Sequence, residues 1–416
     1  MTPSLPRRDL LRLAALIAGG AVVPALASCA ATPAQEAALA ISKVPRRSPE
    51  PLTRSSVDRF GAALLDGLGG GNVVVSPLSV AIVLAMLGTG AAGETRAEFE
   101  AVLGSGIDDL NEEFNALLLT LDGTGARDGL ELTLANALWA QHGLALQPPF
   151  LDALAGFYGA GVRQVDFAKG TQAAIDAINA WADQSTKGLI PVIVDESMIK
   201  QDTRLALGNA IHFKGSWEQQ FLPQLSAPRP FTTGSGATVN PTMMFGDASM
   251  WWLETPEWTG AALPFAGGEV AMALLLPKPG APATLAGLTA SAGLAELFAA
   301  PRGRAMVTMP RWKARTNKQL KSILTSLGLR AAFDPGRADF SGLTGATRLV
   351  LDFVVHEATV TVDETGAEAA AVTVAGFVET SGPSRALLLD RPFYWAITHV
   401  PTATALFLGR VDDPTR

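Results

Sequence analysis

Residues 366–377 read Gly-Ala-Glu-Ala-Ala-Ala-Val-Thr-Val-Ala-Gly-Phe, a run of small side chains. The strand-like segment Leu349-Val350-Leu351-Asp352-Phe353-Val354-Val355 precedes it, and a turn-rich polar stretch, Glu379 to Arg385, follows. Alanine in isolation favours helix, so a plain Ala-rich helix or linker is one reading of the run. The β-like neighbours and Gly366 at its head point to another. Tiny side chains can slide between two packed strands where Leu or Lys cannot, which a loop needs if it is to become a strand inside a sheet. Alternate residues of a strand share a face. One face would carry Ala367, Ala369, Ala371, Thr373, Ala375 and Phe377, all small or apolar. The other would carry Glu368, Ala370, Val372, Val374, Gly376 and Val378, so the lone charge, Glu368, falls on the face that can reach solvent.

The 416 residues suffice for a large core or several domains. With 48 % hydrophobic and 17 % charged residues, most of the chain should be globular. Net charge is −7 and no dense Lys/Arg cluster lies beyond the N-terminus, which argues against a nucleic-acid partner. The four histidines, His142, His212, His356 and His399, are scattered and none pairs with a cysteine at ligand spacing. No metal or other cofactor is therefore expected.

The N-terminus reads as a targeting segment. Arg7-Arg8-Asp9-Leu10-Leu11-Arg12 precedes an apolar run, then small residues up to Leu26-Ala27-Ser28-Cys29. This is the order of a secretory signal over residues 1–28. The paired arginines resemble a twin-arginine export signal, and Leu-Ala-Ser-Cys resembles a bacterial lipobox in which the cysteine becomes the lipidated first residue. Cys29 is the only cysteine, so the mature chain can form no internal disulfide. A transmembrane anchor is the alternative. Residues 29–52, with Pro33, Pro45, Pro49 and Pro51, read as a flexible tether. Losing Arg7, Arg8, Arg12 and Asp9 with the signal takes the body to about −9, so only the anchor would draw it to anionic lipid.

Residues 53–416 contain no repeat, heptad series or internal linker and read as one domain. Helical spacing covers Ser55 to Leu68, Glu94 to Leu103, Asp108 to Leu121 and Gln172 to Thr186. Ser76-Pro77 opens a long apolar helix, serine as cap and proline at its first position. Strands are expected at Asn72 to Val75, Glu131 to Ala140 and Arg204 to Lys214. They dominate from Val239 onward, up to Leu349–Val362, Phe393–Val400 and Ala405–Val411, interrupted by helices at Ala290–Ala299 and Asn317–Leu327. The fold class is mixed α+β.

Gly88-Thr89-Gly90-Ala91-Ala92-Gly93 has the letters of a dinucleotide fingerprint but follows a helix, the wrong context. Gly-x-Ser-x-Gly and phosphate-loop signatures are absent, as is any Ser-x-x-Lys with its partner motifs, so no enzyme is expected. The acid pairs Asp108-Asp109 and Asp363-Glu364 read as solvated charge.

Val362-Asp363-Glu364-Thr365-Gly366-Ala367-Glu368-Ala369-Ala370-Ala371 resembles the reactive-loop hinge of the serpins. Six further segments match that family in order: Asn72 to Ser79, Asn209 to Glu218, Ala338 to Gly342, Val355 to Ala358, Arg391-Pro392-Phe393 and Leu406 to Val411. The resemblance covers residues 53–416. It implies a fold of three β-sheets with about eight or nine helices and an exposed reactive-centre loop. It also implies a suicide inhibitor that is cut by a serine protease, inserts its freed hinge into the main sheet and traps the acyl-enzyme. The monomer's partners would be that protease and, through its lipid, a membrane. Carried over by motif, the hinge is Glu364 and Gly366 to Thr373, that is Gly366, Ala367, Glu368, Ala369, Ala370, Ala371, Val372 and Thr373. Ser76, Ser79, Asn209 and His356 would form a buried cluster beneath the opening of the sheet, and Trp217 would mark where insertion begins. None of these is catalytic. The cut bond of inhibitory members lies about seventeen residues from the hinge glutamate. From Glu364 that gives Thr380-Ser381, with Glu379 as the one-residue alternative. Threonine there suits an elastase-like or subtilisin-like enzyme. Ala367 and Val372 stand where many members have Thr or Ser and Ala, respectively. A non-inhibitory, surface-tethered binding module is the competing reading.

Overall fold

The molecule is described here by a computed structural model covering residues 38–50, 57–124, 130–280, 285, 293–345, 349–367 and 385–416. Its first half runs through strand β1 (Ala38–Ala40), helix α1 (Val57–Gly67), strand β2 (Val73–Val75) and helices α2 (Pro77–Gly88), α3 (Gly93–Leu103) and α4 (Ile107–Thr124). Strand β3 (Leu130–Gln141), helix α5 (Pro148–Ala153), a π-helical turn at Leu154–Tyr158, strand β4 (Val162–Val165), helix α6 (Thr171–Ser185) and strand β5 (Leu205–Ser216) follow. The second half holds β6 (Ala227–Pro228), β7 (Phe231–Thr232), β8 (Thr238–Val239), β9 (Thr242–Glu254), β10 (Trp258–Pro264), β11 (Val270–Pro277), α7 (Gly293–Ala299), β12 (Gly303–Pro310) and β13 (Trp312–Gln319). It ends with α8 (Lys321–Leu327), α9 (Ser341–Thr344), β14 (Phe353–Val362), β15 (Gly366–Ala367), β16 (Ala386–Leu388), β17 (Phe393–His399) and β18 (Thr404–Val411).

These elements build three sheets. One has seven strands in the order β1-β4-β3-β5-β15-β14-β13. A second follows β16-β12-β9-β10-β11-β17-β18-β2 with β6 beside β9, and β7-β8 is a short ribbon. With nine α-helices among the described residues, this is the α+β, three-sheet fold that the motifs implied.

Helix α2 is the centre of the packing. Ser76 caps it through Ser79 N–H, Pro77 occupies its first turn, and all twelve of its residues are buried. It packs against β3 and β5 on one side and β18 on the other. The seven-stranded sheet is covered on both faces. Leu207, Ile211, Phe213, Val354, Val360 and Val362 enter the main core, while Ala206, Ala210, Phe353 and Val355 lie in a second core beneath α6. Both faces being apolar, the hydrophobic effect holds this sheet from two sides.

Three expectations change. The helix foreseen at Asn317–Leu327 starts only at Lys321. Trp312–Gln319 is a strand because Trp312, Ala314 and Thr316 point inward, alternating with exposed Lys313, Arg315 and Asn317. The strand foreseen at Leu349 starts at Phe353; Leu349 and Leu351 are instead buried in the preceding loop. Residues 38–50, read as part of a tether, lie against the body. β1 pairs with the sheet-edge strand β4, whose outer backbone groups otherwise lack partners. Arg47 N–H donates to Gly156 O at 2.8 Å, and Asn115 Nδ2 donates to Arg47 O at 3.2 Å.

Candidate functional site

Strands β5 and β14 run parallel and paired from Ala206–Phe353 to Ile211–Ala358. Above that level the pairing stops, and two residues of the hinge fill the mouth of the gap. Gly366 and Ala367 lie antiparallel to both strands, opposite Ser216 and Gly215 on one side, with Ala367 opposite Val362 on the other. Residues 215 and 362 keep the sequence offset of the paired pairs below, so β15 occupies a strand-wide slot in unbroken register. Ala367 is fully buried in the main core, the face that the parity of the run assigns to it. Gly366 sits so close to β5 that a Cβ would strike Gly215 O and Ser216 Cα, and its φ of 155° suits glycine.

The turn entering β15 is pinned from several sides. Trp217 N–H donates to Thr365 O at 3.0 Å, Phe221 N–H to Glu364 O at 2.9 Å, and Trp217 Nε1 to Asp363 O at 2.9 Å. The Trp217 ring stacks on Phe265, centroids 4.6 Å apart and planes 9° apart. Asp363 Oδ1 accepts from Thr365 N at 2.8 Å, so this carboxylate closes the turn.

Glu364 corrects the reading of Asp363-Glu364 as solvated charge. Its carboxylate is buried, held by Arg311 Nε and Nη2 at 2.7 and 2.6 Å, and accepts from Ser226 Oγ at 2.6 Å. Burial alone would raise its pKa; the Arg311 guanidinium and Ser226 hydroxyl outweigh that and hold it low. The chain bends at this point, so adjacent acids need not face opposite ways. Arg311→Ala should leave this carboxylate buried without its cation. Arg311 is about half exposed, so water offsets part of the loss, and a cost of about 2 kcal/mol is expected. Unfolding in denaturant should then be about 30-fold faster. An unchanged rate would show that the pair does not hold the mouth.

Beneath the slot, Ser76, Ser79, Asn209 and His356 are all fully buried. The structure joins them in a chain: Ser76 N–H donates to His356 Nε2 at 3.2 Å, and His356 Nδ1 lies 2.5 Å from Asn209 Oδ1. Because Nε2 accepts, the ring proton sits on Nδ1 and is donated to Asn209. Asn209 Nδ2 passes the chain to Asn136 Oδ1 at 2.6 Å. Ser79 contributes its N–H to Ser76 Oγ at 3.2 Å, while its own hydroxyl is buried without a partner.

Burial pushes the His356 pKa down to about 3, so the ring is neutral. The native value lies below the unfolded value of about 6.5. The unfolded chain therefore takes up a proton that the native state refuses. Stability is fully present above pH 6.5 and falls by about 1.4 kcal/mol per pH unit towards pH 3. Denaturant midpoints from pH 7 to 4 should show a slope that His356→Gln reduces by one proton. An identical slope in the variant would remove His356 as the cause.

Arg311, Ser226 and Asn136 are the residues that sequence reading missed. The alternation of Trp312–Gln319 was the available signal for Arg311, because it makes that segment the strand beside β14. Glu379, Thr380, Ser381, the hinge residues Glu368, Ala369, Ala370, Ala371, Val372 and Thr373, and Cys29 lie outside the described residues. Among the described residues no cluster of three or more His, Cys, Asp or Glu could hold a metal.

A parted sheet with the first residues of the following loop seated in its mouth defines a protein in which loop and sheet share one strand position. The comparisons agree. Residues 57–414 match the family model described as serpin (serine protease inhibitor), and the chain belongs to the serpin family. Leukocyte elastase inhibitor of Bos taurus is 32 % identical over 374 residues, covering 87 % of this chain and 98 % of that one. Human neuroserpin is 30 % identical over 358 residues, covering 82 % and 86 %. Among solved structures, the thermophilic serpin tengpin in its native state superposes with a TM-score of 0.80 at 25 % identity, covering 91 % of this chain and all of that one. Thyroxine-binding globulin in complex with thyroxine superposes at 0.75 and 26 % identity, covering 87 % and 99 %.

Proposed function

We propose that the protein is a suicide inhibitor of elastase-like or subtilisin-like serine proteases, cut at Thr380-Ser381 and acting by insertion of its hinge between β5 and β14. The observation that carries this reading is the register of β15. Were that register continued on insertion, Ala369 would come between Phe213 and Val360, and Ala371 between Ile211 and Ala358. Thr373 then arrives between Asn209 and His356, where its hydroxyl can replace the hydrogen bond that insertion separates. Glu368 arrives beside Lys214 on the outer face. The inward positions from Ala367 to Ala375 are all small, only Phe377 at the far end being large, and the polar one among them, Thr373, would meet the buried pair Asn209 and His356.

Insertion exchanges parallel pairing of β5 with β14 for antiparallel pairing on both sides of a new strand, so the cut form should be more stable than the intact one. The protease, still esterified to the cut end, is carried with the loop and loses productive geometry. The protein thus acts as a consumed binding partner and turns over no substrate. Similarity to leukocyte elastase inhibitors supports the elastase-like target. Export as a monomer, with Cys29 lipidated at a bacterial membrane, completes the proposal; docking of residues 38–50 shortens the tether. Thyroxine-binding globulin among the structural neighbours gives the competing binding-module reading its support.

The deciding experiment is a denaturing gel of the protein with pancreatic elastase, neutrophil elastase, subtilisin, chymotrypsin, trypsin and a Glu-specific protease. A band at the summed mass, with the released peptide starting at Ser381, is the expected result. Clean cleavage across the panel without such a band, and with no rise in melting temperature, would favour the binding module.

A further inference from the structure

Seven large apolar side chains are exposed among the described residues, and three of them, Leu39, Ile41 and Val44, lie within six positions of one another in the docked N-terminal segment. The other four, Leu189, Val192, Leu225 and Leu388, fall in three other parts of the chain. Single apolar residues on a surface need no explanation, whereas a cluster of them marks a contact.

The backbone that carries this cluster is fixed. Leu39 pairs with Arg163 and Ala40 with Val162 of β4, and Arg47 is held from Gly156 and Asn115. A preformed array loses little freedom on binding. Residues 38–50 hold Lys43, Arg46 and Arg47 against Glu50, a local +2 in a chain of net −7. Of the neighbouring acids, Glu112 pairs with Arg47 at 3.4 Å, Asp152 accepts from Ser42 Oγ, and Asp122 lies near Arg46. Lys43, between Ile41 and Val44 in sequence, is exposed and has no ion pair or hydrogen bond among the described residues.

An apolar cluster with a free ammonium at its edge suits the interface of a bilayer, where aliphatic side chains meet the acyl boundary and cations meet headgroup phosphates. Place in the chain points the same way. The nine steps from Cys29 to Ala38 span at most about 32 Å, so a lipid on Cys29 would keep this face of the body near the membrane. We propose that Leu39, Ile41, Val44 and Lys43 form a contact of their own with a lipid bilayer carrying anionic headgroups. The docked segment thereby alters the expectation that an anchor alone draws the acidic body to anionic lipid. The inference rests on the reading of the protein as membrane-bound, yet the contact itself needs no lipid on Cys29.

The test uses the chain from residue 29 with Cys29→Ser, which retains the whole compact unit that begins at residue 35. It is mixed with vesicles of phosphatidylcholine alone, or of phosphatidylcholine with one quarter phosphatidylglycerol, and partitioning is read by cosedimentation. Binding to both is expected, tighter to the anionic vesicles. Leu39→Ser combined with Ile41→Ser should weaken it about tenfold on both. Lys43→Gln should weaken it about fivefold on the anionic vesicles only. Val192→Ser, at an exposed apolar site outside the segment, should change neither. An environment-sensitive dye on Ile41→Cys should shift to the blue with vesicles, and the same dye on Val192→Cys should not. The dye decides the matter if the serine pair fails to fold, judged by near-UV circular dichroism. No binding to either vesicle, undiminished binding by the serine pair, or an unshifted dye at position 41 would overturn the proposal. So would self-association without vesicle binding that the serine pair abolishes, which would assign the cluster to a second copy of the chain. A chain found by mass spectrometry to carry no acyl group on Cys29 would fail the anchor reading and not this one.

Discussion

Ala371→Glu is expected to convert the protein from an inhibitor into a substrate. In the register set by β15, residue 371 reaches the core face between Ile211 and Ala358, both fully buried. A carboxylate forced into that apolar core would cost several kcal/mol. Insertion would slow about 1000-fold or more, while cleavage of the loop, which precedes insertion, would keep its rate. Deacylation then wins, and active protease is released. Ala371→Ser is the control, since its small side chain should still trap. The measurement is the moles of inhibitor consumed per mole of protease silenced, with the covalent band on a gel. Full-stoichiometry complex from Ala371→Glu would refute insertion in this register.

Trp217→Ala should be the most destabilising single change at the mouth of the slot. The ring is buried, stacks on Phe265, and its Nε1 holds Asp363 O. Truncating a buried tryptophan costs about 3–5 kcal/mol, and here the loss includes one of the bonds that fix the turn before Gly366. On the proposed insertion mechanism the native state is held by a kinetic barrier, so the proper readout is the unfolding rate. A rate at least about 100-fold faster is expected. Trp217→Phe should recover most of it by keeping the stack on Phe265. A rate within twofold of the original for Trp217→Ala would mean that the turn is held mainly by Glu364, Arg311 and the backbone bonds.

The two variants probe different steps. Trp217 holds the turn before Gly366, whereas on the proposed mechanism Ala371 would govern how far the hinge can travel. A loss of trapping in Ala371→Glu with an unchanged unfolding rate would therefore separate insertion from native stability.

Much of the architecture was legible because local rules and burial agree. Ser76-Pro77 before an apolar run marked α2 through cap chemistry alone. The period-two pattern of 367–377 named the inward face, and Ala367 lies on it. Trp312–Gln319 was missed because five of its eight residues carry charge or amide groups, which hid an alternation that was present. Docking of residues 38–50 was missed because proline-rich composition reports chain stiffness and says nothing about an unpaired sheet edge at β4.

The amino-acid sequence by itself determined which residues can enter a sheet, because side-chain volume and strand parity are properties of the run from Gly366 to Phe377. It also determined the family, since seven ordered motifs exceed what composition can imitate. Tertiary structure alone decided that Glu364 is a buried anion and not a solvated one, because Arg311 and Ser226 come from segments 53 and 138 residues away. It alone gave His356 its tautomer, which depends on Ser76 N–H arriving across 280 residues. Such facts are non-local: a side chain's size travels with the residue, but its electrostatic surroundings are supplied by whatever the fold brings beside it.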